Sequence, residues 1–252
     1  MQNKTIYLDA AATTSVYPGV VREMQKYFTE EYGNPSSLHA LGEEALKKIN
    51  EVREKIAREI GCKVHEIIFT SGATESNNLA MQGIARAHPN KKKMVISAVE
   101  HPSVSEVCES LKKFGYEIIK IPVDKNGFVD LNFLKENIDG KTLLVSVMQV
   151  NNVFGTIQNL KKIGEICRQA GVFFHSDAAQ SFGKLKILVK DWDIDLLSGS
   201  AHKIGGPKGI GFLYVRDSVA ISPLFFGGGQ ERGLRSGTEN VPAIAGFGKA
   251  LE

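Results

Sequence analysis

The chain has 252 residues, 42% of them hydrophobic and 23% charged, and its 31 basic and 28 acidic side chains leave a net charge of +3. This charge is too small to favour nucleic acid or an anionic membrane surface as a partner. No apolar run approaches the roughly eighteen residues of a membrane span, and the N-terminal residues lack the apolar segment of a signal peptide. We therefore expect a cytoplasmic protein that binds neither nucleic acid nor membrane.

Short β-branched runs alternate with helical patterns along the chain. The predicted strands are 67–69, 94–97, 118–121, 143–148, 172–175, 194–197 and 210–215. Apolar residues at steps of three and four, which are typical of amphipathic helices, predict helices over 41–60, 79–87, 103–114, 160–170 and 241–252. Repeated strand–helix alternation predicts an α/β fold, with a mostly parallel sheet and helices on both faces.

One lysine stands on a loop of small residues directly after the strand 194–197. The segment 198–207 reads Ser-Gly-Ser-Ala-His-Lys-Ile-Gly-Gly-Pro, so Lys203 has little to pack against. Most loop lysines are simply solvated. This setting also suits an amine that must lose its proton and attack a carbonyl group. Lys203 is therefore a candidate Schiff-base lysine.

An aspartate, Asp177, follows the strand 172–175. Alone, such a carboxylate caps a helix or pairs with an ion. Beside a Schiff-base lysine on the next strand end it has a more specific use. Pyridoxal phosphate needs a carboxylate at its pyridine nitrogen, because a protonated ring works as an electron sink. The two residues together predict this cofactor.

A phosphate site is predicted after the first strand, where small residues over 71–78 open a helix. The free N–H groups and the dipole at a helix N-terminus stabilise an anion, although the same pattern also suits a plain helix cap. Ser200 and His202 could add donors from the lysine loop. The segment 227–240, rich in glycine and with two arginines, could also bind phosphate or carboxylate.

Two further residues at strand ends could contact the ring of a cofactor. His101 follows the strand 94–97 and could stack on a flat cofactor, or lie in solvent. Asn152 follows the strand 143–148 and offers an amide to a ring substituent. Ligands of parallel sheets bind at the carboxyl ends of the strands, so we expect both residues to lie near Lys203. Three cysteines without metal-ligand spacing predict no metal site.

These motifs together resemble the class-V, fold-type I pyridoxal-phosphate enzymes, most closely the cysteine desulfurases of the NifS/IscS type. The matching segments are 8–14, 32–37, 71–77, 100–101, 151–152, 177–180, 200–203 and 235–238. The resemblance implies a large cofactor-binding domain over 15–252 and an N-terminal segment, 1–14, that packs with a small C-terminal domain. The helical pattern 241–252 meets no stop signal, so we expect the small domain, with its catalytic cysteine, to be largely absent.

The resemblance also implies a role for each matching residue. Lys203 would form the Schiff base and transfer protons, and His101 would stack on the ring and assist proton transfer. Asp177 would pair with the pyridinium nitrogen, Gln180 with the ring hydroxyl, and Asn152 would help to hold the substrate adduct. The phosphate would be bound by Ala73, Thr74, Ser200 and His202, and by Thr238 from the partner subunit of a homodimer.

The implied reaction converts L-cysteine to L-alanine and leaves the sulfur as an enzyme persulfide. That sulfur would pass to an iron–sulfur scaffold or another acceptor, such as a tRNA thiolation pathway. A selenocysteine lyase, another class-V lyase or aminotransferase, and a non-catalytic cofactor-binding scaffold remain alternatives. One departure is that the family's Asn-Asn-Glu motif ends here in Val153. Without the catalytic-cysteine domain we expect this chain alone to be a weak or inactive desulfurase.

Overall fold

The computed structural model describes residues 6–252, so residues 1–5 of the predicted N-terminal segment lie outside the described residues. The described part contains a seven-stranded sheet. Its strands, in chain order, are β1 (Ile67–Thr70), β2 (Lys93–Ser97), β3 (Glu117–Ile121), β4 (Thr142–Ser146), β5 (Phe173–Asp177), β6 (Leu196–Ser200) and β7 (Gly211–Val215). All seven predicted strands are therefore confirmed, with bounds that differ by a few residues.

The strand order across the sheet is β1-β7-β6-β5-β4-β2-β3. Only β7 of these seven described strands runs against the others, since it pairs antiparallel with both β1 and β6. The remaining neighbours are parallel. The predicted α/β fold with a mostly parallel sheet is confirmed. Parallel strands buried on both faces read as continuous apolar runs, which is why their sequence signal is strong.

The helices of the described residues are α1 (Pro18–Thr29), α2 (Ala40–Ile60), α3 (Ala73–Ala87), α4 (Pro102–Leu111), α5 (Leu131–Asn137), α6 (Leu160–Ala170) and α7 (Val241–Ala250). The predicted helices correspond to α2, α3, α4, α6 and α7. Helix α3 begins at Ala73, before the apolar pattern that predicted it. Helices α1 and α5 lie outside the predicted patterns, because α1 buries only two side chains and α5 is short.

Apolar side chains on the two faces of the sheet form two cores. Ile67 and Phe69 of β1 join the core that α2, α6 and α7 cover, while Ile68 joins the core under α3 and α4. This alternation along a strand follows from the two-residue period of its side chains. Within residues 6–252 no helix is long and apolar enough to cross a membrane.

The topology brings the carboxyl ends of six strands to one edge of the sheet. Strands β1 to β6 all run in the same direction, so their carboxyl ends share that edge. Helix α3 starts directly after β1, and α4 starts after the loop that follows β2. The predicted site residues are therefore placed on segments that begin at a common edge.

Candidate active site

A cavity of about 860 Å³ opens at this edge of the sheet. Nine of the ten site residues predicted from the sequence line it, namely Ala73, Thr74, His101, Asn152, Asp177, Gln180, Ser200, His202 and Lys203. The tenth, Thr238, is exposed and lies outside the cavity lining. Val153, which departs from the family motif, also lines the cavity and is 80% exposed.

Lys203 reaches the cavity from a short 3₁₀ turn, Ala201–Lys203, that directly follows β6. Its Nζ donates hydrogen bonds to the carbonyl oxygens of Ala11 at 2.5 Å and Ala12 at 2.8 Å. Burial lowers the pKa of Lys203, and the positive charge of Lys184 lowers this pKa further. A lowered pKa increases the fraction of neutral amine, which is the nucleophilic form.

Asp177 is the last residue of β5 and is 4% exposed. One carboxylate oxygen, Oδ1, accepts from the N–H of Ala179 at 2.8 Å, and Oδ2 accepts from Asn77 Nδ2 at 2.7 Å. Burial raises the pKa of Asp177, whereas these two donors and the nearby His101 and Lys203 oppose the rise. The carboxylate is thus held by donors from two sides while it lines the cavity.

His101 is the N-cap residue of α4. Its Nδ1 accepts from the N–H of Ser103 at 3.1 Å and lies 2.8 Å from Ser103 Oγ. Ser103 Oγ in turn accepts from Asn77 Nδ2 at 2.8 Å. Sequence reasoning named neither Asn77 nor Ser103 as a site residue. The only signal in the sequence was the position of Asn77 inside the motif 71–77.

The start of α3 forms a cradle suited to an anion. The first N–H groups of a helix lack partners within the helix and carry the positive end of its dipole. A Cβ atom added at Gly72 would lie 3.9 Å from Ser200 Oγ, so this serine faces the turn from β6. Glu75 Oε2 accepts from the N–H of Ser71 at 2.9 Å, and Arg235 Nε donates to Glu75 Oε1 at 2.9 Å. These contacts fix the turn between β1 and α3.

The described part of the N-terminal segment lies over the lysine loop. Thr14 donates to the carbonyl oxygen of His202 through its backbone N–H at 3.0 Å and its Oγ1 at 2.9 Å. Gln180 Nε2 donates to the carbonyl oxygen of Ala11 at 2.8 Å. Residues 9 and 11–13 therefore line the same cavity. The division into segments 1–14 and 15–252, and packing of the first against a small domain, stay predictions.

None of the three cysteines lines this cavity. Cys108 and Cys167 are buried in the cores, and Cys62 is half-buried. Burial raises the pKa of Cys62 and of Cys108 to about 12, and it raises the pKa of Cys167 as well. Thiols with raised pKa values are poor nucleophiles. Residues 6–252 also contain no group of three or more His, Cys, Asp or Glu side chains that could hold a metal ion.

The family described as Aminotransferase class-V matches residues 6–252. The chain belongs to the class-V aminotransferase family. Enzymes of this family depend on pyridoxal phosphate. The residues of the cavity fit this group, because an amine of lowered pKa, a buried carboxylate and a helix N-terminus face one space large enough for a small molecule.

Curated relatives extend the comparison. The chain is 53% identical to "Cysteine desulfurase IscS" of Rickettsia felis over 99% of its own length and 62% of the relative's. It is 54% identical to the protein of the same name from Rickettsia bellii, over 97% of its own length and 61% of the relative's. The chain therefore spans a little over three-fifths of the length of these relatives.

Solved structures show the same similarity. A structure named "NIFS-LIKE PROTEIN" superposes with a TM-score of 0.96 at 41% identity, over 98% of this chain and 69% of that one. A structure named "SspA in complex with cysteine" gives a TM-score of 0.96 at 42% identity, over 98% of this chain and 72% of that one. Both agree with the large-domain fold predicted from the sequence.

Proposed function

We propose that this chain is the cofactor-binding domain of a cysteine desulfurase, with L-cysteine as its substrate. One observation carries the proposal: Lys203 and Asp177 extend from neighbouring strands into the same cavity. The curated relatives are named cysteine desulfurases, and a structural neighbour is described in complex with cysteine. Pyridoxal phosphate, when bound, supplies a carbonyl group for covalent attachment and a ring that accepts electrons from the substrate.

Lys203 would hold the cofactor covalently through Nζ. The neutral form of the amine is required for this attachment, and burial together with Lys184 favours it by lowering the pKa of Lys203. When it is not bonded to the cofactor, Nζ of Lys203 would accept and donate protons beside the bound substrate. Ala11 and Ala12, whose carbonyl oxygens accept from Nζ, can orient the amine during these steps.

The remaining cavity residues would orient the cofactor. Asp177 would pair with the ring nitrogen, Gln180 would donate to the ring hydroxyl, and Asn152 would help to hold the bound substrate. His101 would stack on the ring and assist proton transfer. The phosphate would be held by the start of α3 and the lysine loop, through Ala73, Thr74, Ser200 and His202.

We further propose a homodimer in the cytoplasm, with the exposed Thr238 of one chain reaching the phosphate of its partner. Since no cysteine of the described residues lines the cavity, the thiol that accepts sulfur would come from another segment or chain. The sulfur would pass on to an iron–sulfur scaffold or another acceptor protein. A homodimer is testable by measuring the mass of the purified protein in solution, and a monomer would contradict it.

The proposal is tested by loading the purified chain with pyridoxal phosphate, reducing it with borohydride and mapping the labelled peptide. We expect a visible absorption band and label on Lys203. Lys203→Ala should lose the label, whereas Lys208→Ala, which removes another lysine of the cavity lining, should keep it. Label on a different lysine would overturn the site.

The reaction is tested separately, by supplying L-cysteine or selenocysteine together with a small thiol that can accept the released atom. Alanine formed from cysteine supports the desulfurase. Alanine formed only from selenocysteine would favour a selenocysteine lyase, whose cavity residues would be the same as those of a desulfurase. A labelled chain that forms no product from either, even when a catalytic-cysteine domain is added in trans, would favour a non-catalytic cofactor-binding scaffold.

A further inference from the structure

The side-chain amide of Asn77 lies between two groups that line the cavity. Asn77 is fully buried near the start of α3. Its Nδ2 lies 2.7 Å from Asp177 Oδ2 and 2.8 Å from Ser103 Oγ. Ser103 Oγ lies 2.8 Å from His101 Nδ1. A continuous chain of hydrogen bonds therefore runs from Asp177 to His101 through α3 and α4.

The direction of these hydrogen bonds follows from the chemistry of the groups. An amide nitrogen carries two N–H groups and accepts nothing, so Nδ2 of Asn77 donates both to Asp177 and to Ser103. The opposite orientation of the amide would place its oxygen against the carboxylate oxygens of Asp177. Ser103 Oγ thus accepts from Asn77, and its own proton is free to be donated to His101 Nδ1.

His101 Nδ1 accepts a second hydrogen bond, from the backbone N–H of Ser103 at 3.1 Å. A ring nitrogen that accepts from both an N–H and an O–H carries no proton itself. The proton of the neutral imidazole is therefore on Nε2. The hydrogen-bond partner of one ring nitrogen sets the tautomer of the other in this way.

We propose that Asn77 is a positioning residue, whose amide keeps Asp177 a carboxylate aimed into the cavity and, through Ser103, fixes the ring orientation and Nε2–H form of His101. The identity of the ring that these two groups would face rests on the proposed function. The hydrogen-bond chain itself requires only this protein's own residues. One buried amide thus links a group expected at the edge of the cofactor ring to a group expected on its face.

The first test follows the carboxyl carbon of Asp177 by NMR in the cofactor-free chain. A hydrogen bond to a charged group stabilises that charge, so Asn77→Ala should raise the pKa of Asp177 by about one to two pH units. The neighbouring Glu100, His101 and Lys203, which also influence this titration, stay in place in the variant.

The matched control is Asn78→Ala. Asn78 is the next residue of α3, and its Nδ2 donates to the carbonyl oxygen of Thr74 instead. This variant should leave the pKa of Asp177 unchanged. An Asn77→Ala protein that is folded by circular dichroism and titrates at Asp177 like the wild type would overturn the proposal.

The second test reads the other end of the chain of hydrogen bonds, through the ring ¹⁵N signals of His101. The wild type should show an unprotonated Nδ1 and a protonated Nε2. Ser103→Ala removes the O–H donor, so its Nδ1 signal should move toward that of an imidazole nitrogen with fewer hydrogen bonds. If Asn77→Ala does not fold, the Ser103→Ala variant decides the question. An unchanged His101 signal in Ser103→Ala refutes the hydrogen-bond link between Ser103 and His101.

Both readouts use the cofactor-free chain. A failure to release sulfur from cysteine, together with the expected NMR changes, would count against the proposed function and leave the role of Asn77 standing. Normal turnover together with an unchanged Asp177 titration would support the proposed function and refute the role of Asn77.

Discussion

Arg53 and Glu231 form a two-pronged ion pair, in which Nη1–Oε2 and Nη2–Oε1 are both 2.8 Å apart. Glu231 Oε2 also accepts from the backbone N–H of Phe69 in β1 at 2.9 Å. Glu231 and the next residue, Arg232, have φ angles of 48° and 59°. Left-handed backbone costs a non-glycine residue about 1–2 kcal/mol. The ion pair therefore fixes a strained turn of the glycine-rich segment onto the sheet.

Arg53→Ala should destabilise the fold strongly. The side chain of Glu231 is 2% exposed, so the substitution leaves a buried carboxylate without its cation. Removing one partner of a buried pair typically costs about 3 kcal/mol or more. We expect a loss of this size in the free energy of unfolding, measured with urea. Lys47→Ala, which removes an exposed pair with Glu44, is the control and should change little; equal losses in the two variants would contradict the argument.

Lys184→Gln should shift the attachment of pyridoxal phosphate to higher pH. Burial lowers the pKa of Lys203 most, and the charge of Lys184 lowers it further. Removing that charge raises the pKa of Lys203, so less neutral amine exists at a given pH and attachment slows. The rate of growth of the visible band, measured from pH 6 to pH 10, checks this. Lys186→Gln, two residues along and exposed, should keep the wild-type profile.

His175→Gln should flatten the acid dependence of stability. His175 is fully buried between Ser146 Oγ at 2.9 Å and Ser198 Oγ at 3.1 Å, and burial lowers its pKa from 6.5 to about 3. Between these values the unfolded chain binds a proton that the folded protein does not, so stability falls as the pH falls.

Urea unfolding at a series of pH values from 6.5 to 3 measures this dependence. The variant should lose less stability than the wild type over that window, because glutamine does not titrate. A wild-type slope in His175→Gln would show that other groups dominate the acid response.

Gly211→Ala should weaken the phosphate cradle. A Cβ at Gly211 would lie 2.7 Å from the Cα of Gly72 and 2.5 Å from the carbonyl oxygen of Gly199. The turn before α3 must then shift, which we expect to cost about 1–3 kcal/mol of stability. Binding of pyridoxal phosphate should weaken by on the order of tenfold, and binding of pyridoxal, which lacks the phosphate, should weaken less.

The control for this substitution is Gly140→Ala, where an added Cβ would meet no atom within 4 Å. Titration of both variants with the two ligands, followed by absorbance, makes the comparison. If Gly211→Ala weakens the binding of pyridoxal and of pyridoxal phosphate equally, the substitution does not act through the phosphate cradle.

The sequence by itself determined the sheet and most of the cavity. Strands that are buried on both faces are continuous apolar runs, and helices that cover them repeat at three and four residues. Both patterns are local, so they can be recognised in the sequence without a structure. Lys203, Asp177 and His101 were found for a related reason: each follows a strand, and the ends of parallel strands meet at one edge.

The tertiary structure decided which residues that are far apart in the chain come into contact. Asn77 is 26 residues from Ser103 and 100 from Asp177, and no local pattern relates them. Long-range packing also sets the antiparallel direction of β7. In the same way, it places the carbonyl oxygens of Ala11 and Ala12 against Lys203 Nζ. Burial sets the pKa values of Asp177 and His175, and burial is a property of the assembled fold. The sequence therefore identified groups that line the cavity, and the fold determined how they are oriented and which hydrogen bonds they make.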